Sequence, residues 1–265
     1  MNRQRNINPL SLYHTRTIRF DEITPQMAEQ ETEVRNLFWI PNEPLLQRIR
    51  QKLDREQIRD RILDVACGAT PFDRATHLVD FERKTIPGKY TFAIDLDYDR
   101  FTYEDGYFDF VYSRHTLEDI QNPLHAFQEI TRIGRQGYIE TPSPLIECMR
   151  DVDANSLSPS YRGYIHHRYI VWTDVRNHTL YFLPKYPIID HITFHESYMK
   201  KLRYLANYCP VYWNNYYTWD PTHPPKIVVY RNGVNFSLAG DDYVRLINES
   251  IRASMEATNQ FLTGL

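Results

Sequence analysis

Hydrophobic residues along the chain recur with two spacings, and the spacing changes near residue 60. Over residues 42–53, Leu45, Leu46, Ile49 and Leu53 fall three and four positions apart, which puts them on one face of a helix opened by Asn42. Residues 61–66 then form a short continuous apolar run of strand type. Similar runs follow at 77–80, 91–94, 108–112 and 137–141. Between the last two lies the clearest helix: Asn122 caps it, Pro123 opens it, Leu124, Phe127, Ile130 and Ile133 form its buried stripe, and Gly134 ends it. Strand, helix and strand at these lengths predict a parallel unit with a right-handed crossover.

The flanks are less regular. Thr24 and Pro25 predict a helix start, with a weak stripe (Met27, Val34, Leu37, Phe38) that suits a partly exposed lid. Residues 142–195 carry short aromatic pieces at 168–172 and 179–183. A helix is predicted over 197–207, and residues 211–218 and 226–231 have the spacing of an antiparallel hairpin across a Pro-rich turn. A last helix begins at Asp241 and Asp242 and carries Val244, Ile247, Ile251 and Met255. The expected fold is α/β: a Rossmann-like, mostly parallel sheet in three α/β/α layers with a C-terminal antiparallel hairpin. Residues 1–40 would be an arm and lid helix. Residues 41–265 would be one domain, with a substrate-side insert at about 142–196.

Composition narrows the function classes. At 265 residues with 42% hydrophobic and 25% charged residues, the chain is long enough for one sizeable core. The 20 tyrosines predict either a tyrosine-rich core or aromatic pocket walls. A net charge of −3 gives no broad attraction to a phosphate backbone, although Arg3, Arg5, Arg16 and Arg19 form a local basic arm. Three scattered cysteines (Cys67, Cys148, Cys209) argue for a reducing compartment, and no segment has the length and apolarity of a membrane span. A soluble cytoplasmic protein is the expectation.

The most informative stretch is Ile62-Leu-Asp-Val-Ala-Cys-Gly-Ala-Thr-Pro-Phe72: an apolar strand that ends in an acid and turns through small residues. Small side chains let a ligand approach the backbone, and ligands of open α/β sheets bind outside the carboxyl ends of the strands. Asp80 and Asp95 close the next two runs, and Ser113-Arg-His-Thr-Leu-Glu118 follows the fourth. In this order the motifs resemble the class I S-adenosylmethionine-dependent methyltransferases, in the branch acting on small molecules, lipids and glycans. The resemblance covers about residues 61–144. It implies that Asp64, Ala66, Cys67 and Gly68 shape the turn around the methionine part of S-adenosyl-L-methionine, that Asp80 takes the ribose, and that Asp95 takes the adenine amine with Leu96 against the ring. Ser113, Arg114 and His115 would sit beside the sulfonium. The chain departs from the family turn at Ala66 and Thr70, where glycines are usual. Only about a dozen residues separate Gly68 from Asp80, where nucleotide-binding units have about 20. The first crossover helix is therefore expected to be short or missing.

A hydroxyl or protonated amine acceptor needs a base, for which His115, His166 and His167 are the candidates. If the last two lie in a strand, at most one faces the site. Spacing along the chain gives no metal site. The turn after the fourth strand lacks the Asp/Asn-Pro-Pro-aromatic sequence of adenine amino-methylating enzymes, and the Pro-Cys nucleophile of cytosine enzymes is absent. The expected acceptor is a small molecule, glycan or lipid; nucleic acid is not supported. Two other readings are a non-catalytic methyltransferase-like assembly module, marked by a collapsed site, and an RNA methyltransferase using the arginine arm, marked by steeply salt-dependent binding.

Overall fold

The structure is a computed structural model and describes residues 18, 20–29, 43–82, 86–150, 152–153, 161–231 and 242–264. The chain order is α1 (Pro25–Ala28), α2 (Glu43–Arg55), β1 (Ile62–Val65), β2 (His77–Asp80), β3 (Tyr90–Ala93), β4 (Phe110–Arg114), α3 (Pro123–Ile133), β5 (Gly137–Pro142), α4 (Pro144–Glu147), β6 (Tyr169–Asp174), β7 (Thr179–Pro184), α5 (Glu196–Tyr208), β8 (Asn214–Trp219), β9 (Ile227–Val229) and α6 (Asp242–Gly264). The Thr24 hydroxyl caps α1 by accepting from the Met27 amide at 3.2 Å. Residues 30–38 of the expected lid helix lie outside the described residues.

Six strands form the main sheet in the order β3-β2-β1-β4-β5-β8, the first five parallel and β8 antiparallel to β5. Chain direction across the sheet reverses between β1 and β4, so their carboxyl ends flank the crevice where such sheets bind ligands. Alternation along the strands divides the core. Ile62, Phe110, Tyr112, Tyr138 and Tyr216 pack with Leu45, Leu46, Ile49 and Leu53 of α2. Leu63, Val65, Val111, Ile139 and Tyr217 pack with Ala126, Phe127, Ile130 and Ile133 of α3 and with the small sheet β6-β7-β9. Each fully buried Leu, Ile, Val or Phe among them contributes roughly 1.5–3 kcal/mol by leaving water. The tyrosine excess is largely spent in the core. Phe72, Tyr112, Tyr138 and Tyr216 stack in succession at centroid distances of 4.6, 5.4 and 6.4 Å.

Two expectations need correction. The C-terminal hairpin does not form: β8 joins the main sheet beside β5, while β9 runs parallel to β7 in the small sheet. Proximity in sequence suggested the pairing, but each strand finds its apolar partner elsewhere. Gly134 ends α3 as expected, in an extended conformation (φ −104°). It is needed because a Cβ there would run into Val111 on the neighbouring strand. Residues 108–112 form a strand only from Phe110 onward, through Arg114.

Residues 66–76 link the parallel strands β1 and β2 without a helix, in agreement with the short spacing. The link is held by side chains instead. The buried Asp64 carboxylate accepts from the Phe72 amide at 2.7 Å, and the Thr76 hydroxyl accepts from the Ile62 amide at 3.0 Å and donates to the Ile62 carbonyl at 3.1 Å. The link from β3 to β4 is also built of turns. Arg132 of α3 fastens it through the carbonyls of Phe101 and Tyr103, at 3.0 and 2.8 Å.

Candidate functional site

Both strands that flank the crevice leave the sheet through a left-handed residue. Ala66 follows β1 at φ +56° and His115 follows β4 at φ +52°. This backbone costs an L-residue on the order of 1 kcal/mol or more, so the position of Ala66 calls for glycine by conformation and not only by size. Gly68, at φ +54°, has open space where a Cβ would stand, so a ligand can reach this backbone without hindrance.

The carboxyl ends of β2 and β3 meet this turn. Asp80 Oδ2 accepts from the Gly68 amide at 3.0 Å and lies 3.8 Å from Cys67 Sγ, while its Oδ1 accepts from the Phe81 amide at 2.8 Å. Asp95 Oδ1 accepts from the Asp97 amide at 3.0 Å, and Asp97 Oδ1 from the Asn122 amide at 2.7 Å. Ala66, Asp80, Asp95 and Leu96, all anticipated from the sequence, line one cavity of about 350 Å³. The volume falls in the range of small-molecule sites, roughly 300–1,000 Å³. Each carboxylate oxygen can accept more than one hydrogen bond, so acids of this kind suit hydroxyl and amine donors. A nucleoside with a cationic sulfonium fits that set: apolar wall, acceptors at two strand tips, and an open backbone turn.

The wall also holds Phe81, Asp97, Tyr98, Thr116, Ile120 and Gln121, none of which the sequence singled out. Phe81 and Tyr98 are large rings left 72% and 71% exposed at the cavity, each one to three residues beyond a strand-end acid, and that adjacency was the available signal. Asp64, Cys67, Gly68, Ser113, Arg114 and His115 are not among the lining residues. Asp64 braces the turn from behind. Ser113 is buried, and among the described residues its hydroxyl has no hydrogen-bond partner. A cavity of about 640 Å³ lies away from these strand tips, between α2, β5, β8 and α6. Volume alone does not locate the site in an open α/β sheet; the strand tips do.

A second polar group lies behind the cavity loop. His115 sits between two buried carboxylates, Glu118 and Glu140, at 3.5 Å from each. Burial lowers the His115 pKa, but these two carboxylates outweigh it and raise the pKa overall. Glu140 also accepts from Arg114 Nε at 2.9 Å, from Asn214 Nδ2 at 2.7 Å and from the Tyr138 hydroxyl. Burial would raise its pKa, yet His115 and Arg114 hold it down at about 2.

Next to it, Glu147 accepts from Lys185 Nζ at 2.6 Å and pairs with His167 Nδ1 at 2.6 Å, and these partners hold its pKa at about 2 against the effect of burial. Gly163, at φ +61°, is required here because a Cβ would collide with the Glu147 carboxylate.

The expectation that His166 and His167 would point to opposite faces fails, because they precede β6 in a turn and are not in a strand. Their rings lie 4.4 Å apart. His166 Nε2 and His167 Nε2 approach the same atom, Asp119 Oδ1, at 4.0 and 3.8 Å. Burial, reinforced by the Glu118 charge, raises the Asp119 pKa to about 7.

Residues 57–139 match the family model described as a methyltransferase domain. No curated protein matches the chain. Among solved structures, an S-adenosylmethionine-dependent methyltransferase from Mesorhizobium loti is 18% identical, over 33% of this chain and 49% of its own, with a TM-score of 0.29. Another, from Aquifex aeolicus, is 13% identical over 46% of this chain and 74% of its own, with a TM-score of 0.30. The chain thus spans about half the length of the first of these proteins. The methyltransferase-domain match runs from just beyond α2 into β5 and so takes in β1–β4, whose tips carry the cavity.

Proposed function

We propose that the protein is an S-adenosylmethionine-dependent methyltransferase whose donor occupies the cavity at the tips of β1, β2 and β3 and whose acceptor is an oxygen or nitrogen of a small molecule, sugar or lipid. The supporting observation is the meeting of Asp80 and Asp95 with Ala66 around one cavity beside the open Gly68 turn. Asp80 would hold the ribose hydroxyls, Asp95 the adenine amine, and Leu96 the base, with Phe81 and Tyr98 closing over it. The donor carries its own activation in the sulfonium, so the chain's task is to align the acceptor with the methyl carbon and keep water away.

Of the candidate bases His115, His166 and His167, the pair beside Asp119 is proposed for proton removal from the acceptor. His115 is enclosed by carboxylates and suits orienting the β4 loop. His166 is the exposed member of the pair beside Asp119 and suits contact with the acceptor. The region 142–196, which supplies α4, β6, β7 and the His166–His167 turn, is assigned to the acceptor side of a single domain over 41–265. Among the described residues no helix is long and apolar enough to cross a membrane.

Titration calorimetry with S-adenosylhomocysteine tests this reading. One-to-one binding is expected, and Asp95→Ala should weaken it by about 10-fold or more while lowering the unfolding temperature only slightly, in line with the loss of a hydrogen bond to a polar ligand group. A chain that takes up no S-adenosylhomocysteine at high micromolar concentration is not this enzyme.

A further inference from the structure

We propose that Asp119, His166 and His167 form a binding site for one divalent transition-metal cation on the far side of the loop that walls the cofactor cavity. Their donor atoms, Asp119 Oδ1 and one nitrogen of each histidine, all lie within 4.8 Å of one another. Asp119 Oδ1 is buried and, among the described residues, accepts no hydrogen bond, although both imidazoles face it. A buried carboxylate oxygen left in that condition is costly unless something else binds it.

The surroundings have the form of a metal site's outer layer. His167 turns Nδ1 to Glu147 Oε1 at 2.6 Å, which leaves Nε2 directed at Asp119, and Glu147 is fixed by Lys185 Nζ at 2.6 Å. A carboxylate behind a histidine in this way sets ring orientation and strengthens the opposite nitrogen as a ligand. The Glu118 carboxylate, also buried, adds negative charge next to Asp119. Backbone bonds hold the two segments together: the Glu118 carbonyl accepts from the amides of Arg168 and Tyr169 at 2.8 and 3.1 Å.

Ligand bonds of about 2.0–2.2 Å place donor atoms roughly 3.3 Å apart. The separations of 3.8 and 4.0 Å therefore need to close by well under ~1 Å. The His166 side chain, 61% exposed, is free to do this, whereas His167, 4% exposed, is the fixed ligand. Two imidazoles with one carboxylate favour zinc, iron or manganese over magnesium and leave coordination positions open. Thr116, Ile120 and Gln121, on the same loop as Asp119, line the cofactor cavity. With the cation bound, His166 and His167 act as its ligands and not as bases, and an acceptor hydroxyl on the cation would give up its proton to water more readily. That last role rests on the methyltransferase reading; the binding of the cation does not.

The test is calorimetry of the metal-stripped full chain with Zn²⁺ alone, alongside visible absorption of the Co²⁺ form. One equivalent should bind and give cobalt bands of a nitrogen–oxygen site. His166→Ala, at an exposed position, and Asp119→Asn should each weaken Zn²⁺ at least 10-fold, and Glu147→Gln should weaken it 10- to 100-fold by removing the support behind His167. Absence of Zn²⁺ binding, or equal affinity in wild type, His166→Ala and Asp119→Asn, overturns the site. S-adenosylhomocysteine titrated into the same samples separates the two ideas: a chain that binds Zn²⁺ but no nucleoside retains the cation site and loses the methyltransferase reading.

Discussion

The two polar regions on either side of the β4 loop are built in opposite ways. In the cofactor cavity the acids Asp80, Asp95 and Asp97 stand at successive strand tips or one turn beyond, partly exposed, and bond to backbone amides close by in space. In the region behind the loop Glu140, Glu147 and Glu118 are almost wholly buried and are matched by Arg114, Lys185, His115 and His167. The first arrangement sets partly exposed acceptors around a cavity. The second uses ionic pairs to hold a loop in place, and removing one member leaves a charge without water. The same residue types therefore produce a binding surface in one place and a rigid brace in the other.

The largest effect should come from breaking the brace. Lys185→Met leaves Glu147 buried beside His167 alone, and removal of one partner from such a pair costs about 3–5 kcal/mol. Chemical denaturation should report that loss, while a change below about 1 kcal/mol would place the pair in effective contact with solvent.

Acid should sharpen the contrast next. Glu140 titrates at about 2 in the folded chain against an ordinary value of 4.5. The lowered pKa means that its contribution is complete above pH 4.5 and is lost as the pH falls toward 2. The unfolding temperature should drop through that window, and Glu140→Gln, though less stable at neutral pH, should show a flatter decline.

Asp80→Ala probes the other side. It removes a contact with the Gly68 amide worth about 1 kcal/mol of stability. It should nevertheless weaken S-adenosylhomocysteine by roughly 10- to 100-fold, as expected when a charged acceptor is lost. Equal affinity in the variant would transfer the nucleoside elsewhere. The smallest effect is expected for Phe81→Ala: a loss of about 3- to 10-fold in nucleoside affinity from reduced stacking, with unfolding unchanged because the ring is 72% exposed.

Much of the main sheet was legible in the sequence because its signals are local. The strand runs, the Asn122–Pro123 start of α3 and the absence of a helix between β1 and β2 all follow from spacing and cap chemistry over short windows. The cavity residues Ala66, Asp80, Asp95 and Leu96 were legible for the same reason, since each lies at or just beyond the end of an apolar run. The pairing of β8 with β5 and of β9 with β7 was not, because the alternation that marks a strand does not name its neighbour.

By itself, then, the sequence determined the parallel order of strand tips and the acids placed on them, which depend only on the period of the apolar residues and on where each run stops. The tertiary structure decided what His166 and His167 do. A turn before β6, fastened to the Glu118 carbonyl, brings both rings to Asp119 across nearly fifty positions of chain. It also decided that Glu147 and Lys185, 38 positions apart, meet inside the core. Contacts of that range are fixed by the packing of whole elements against one another, and no local pattern along the chain encodes them.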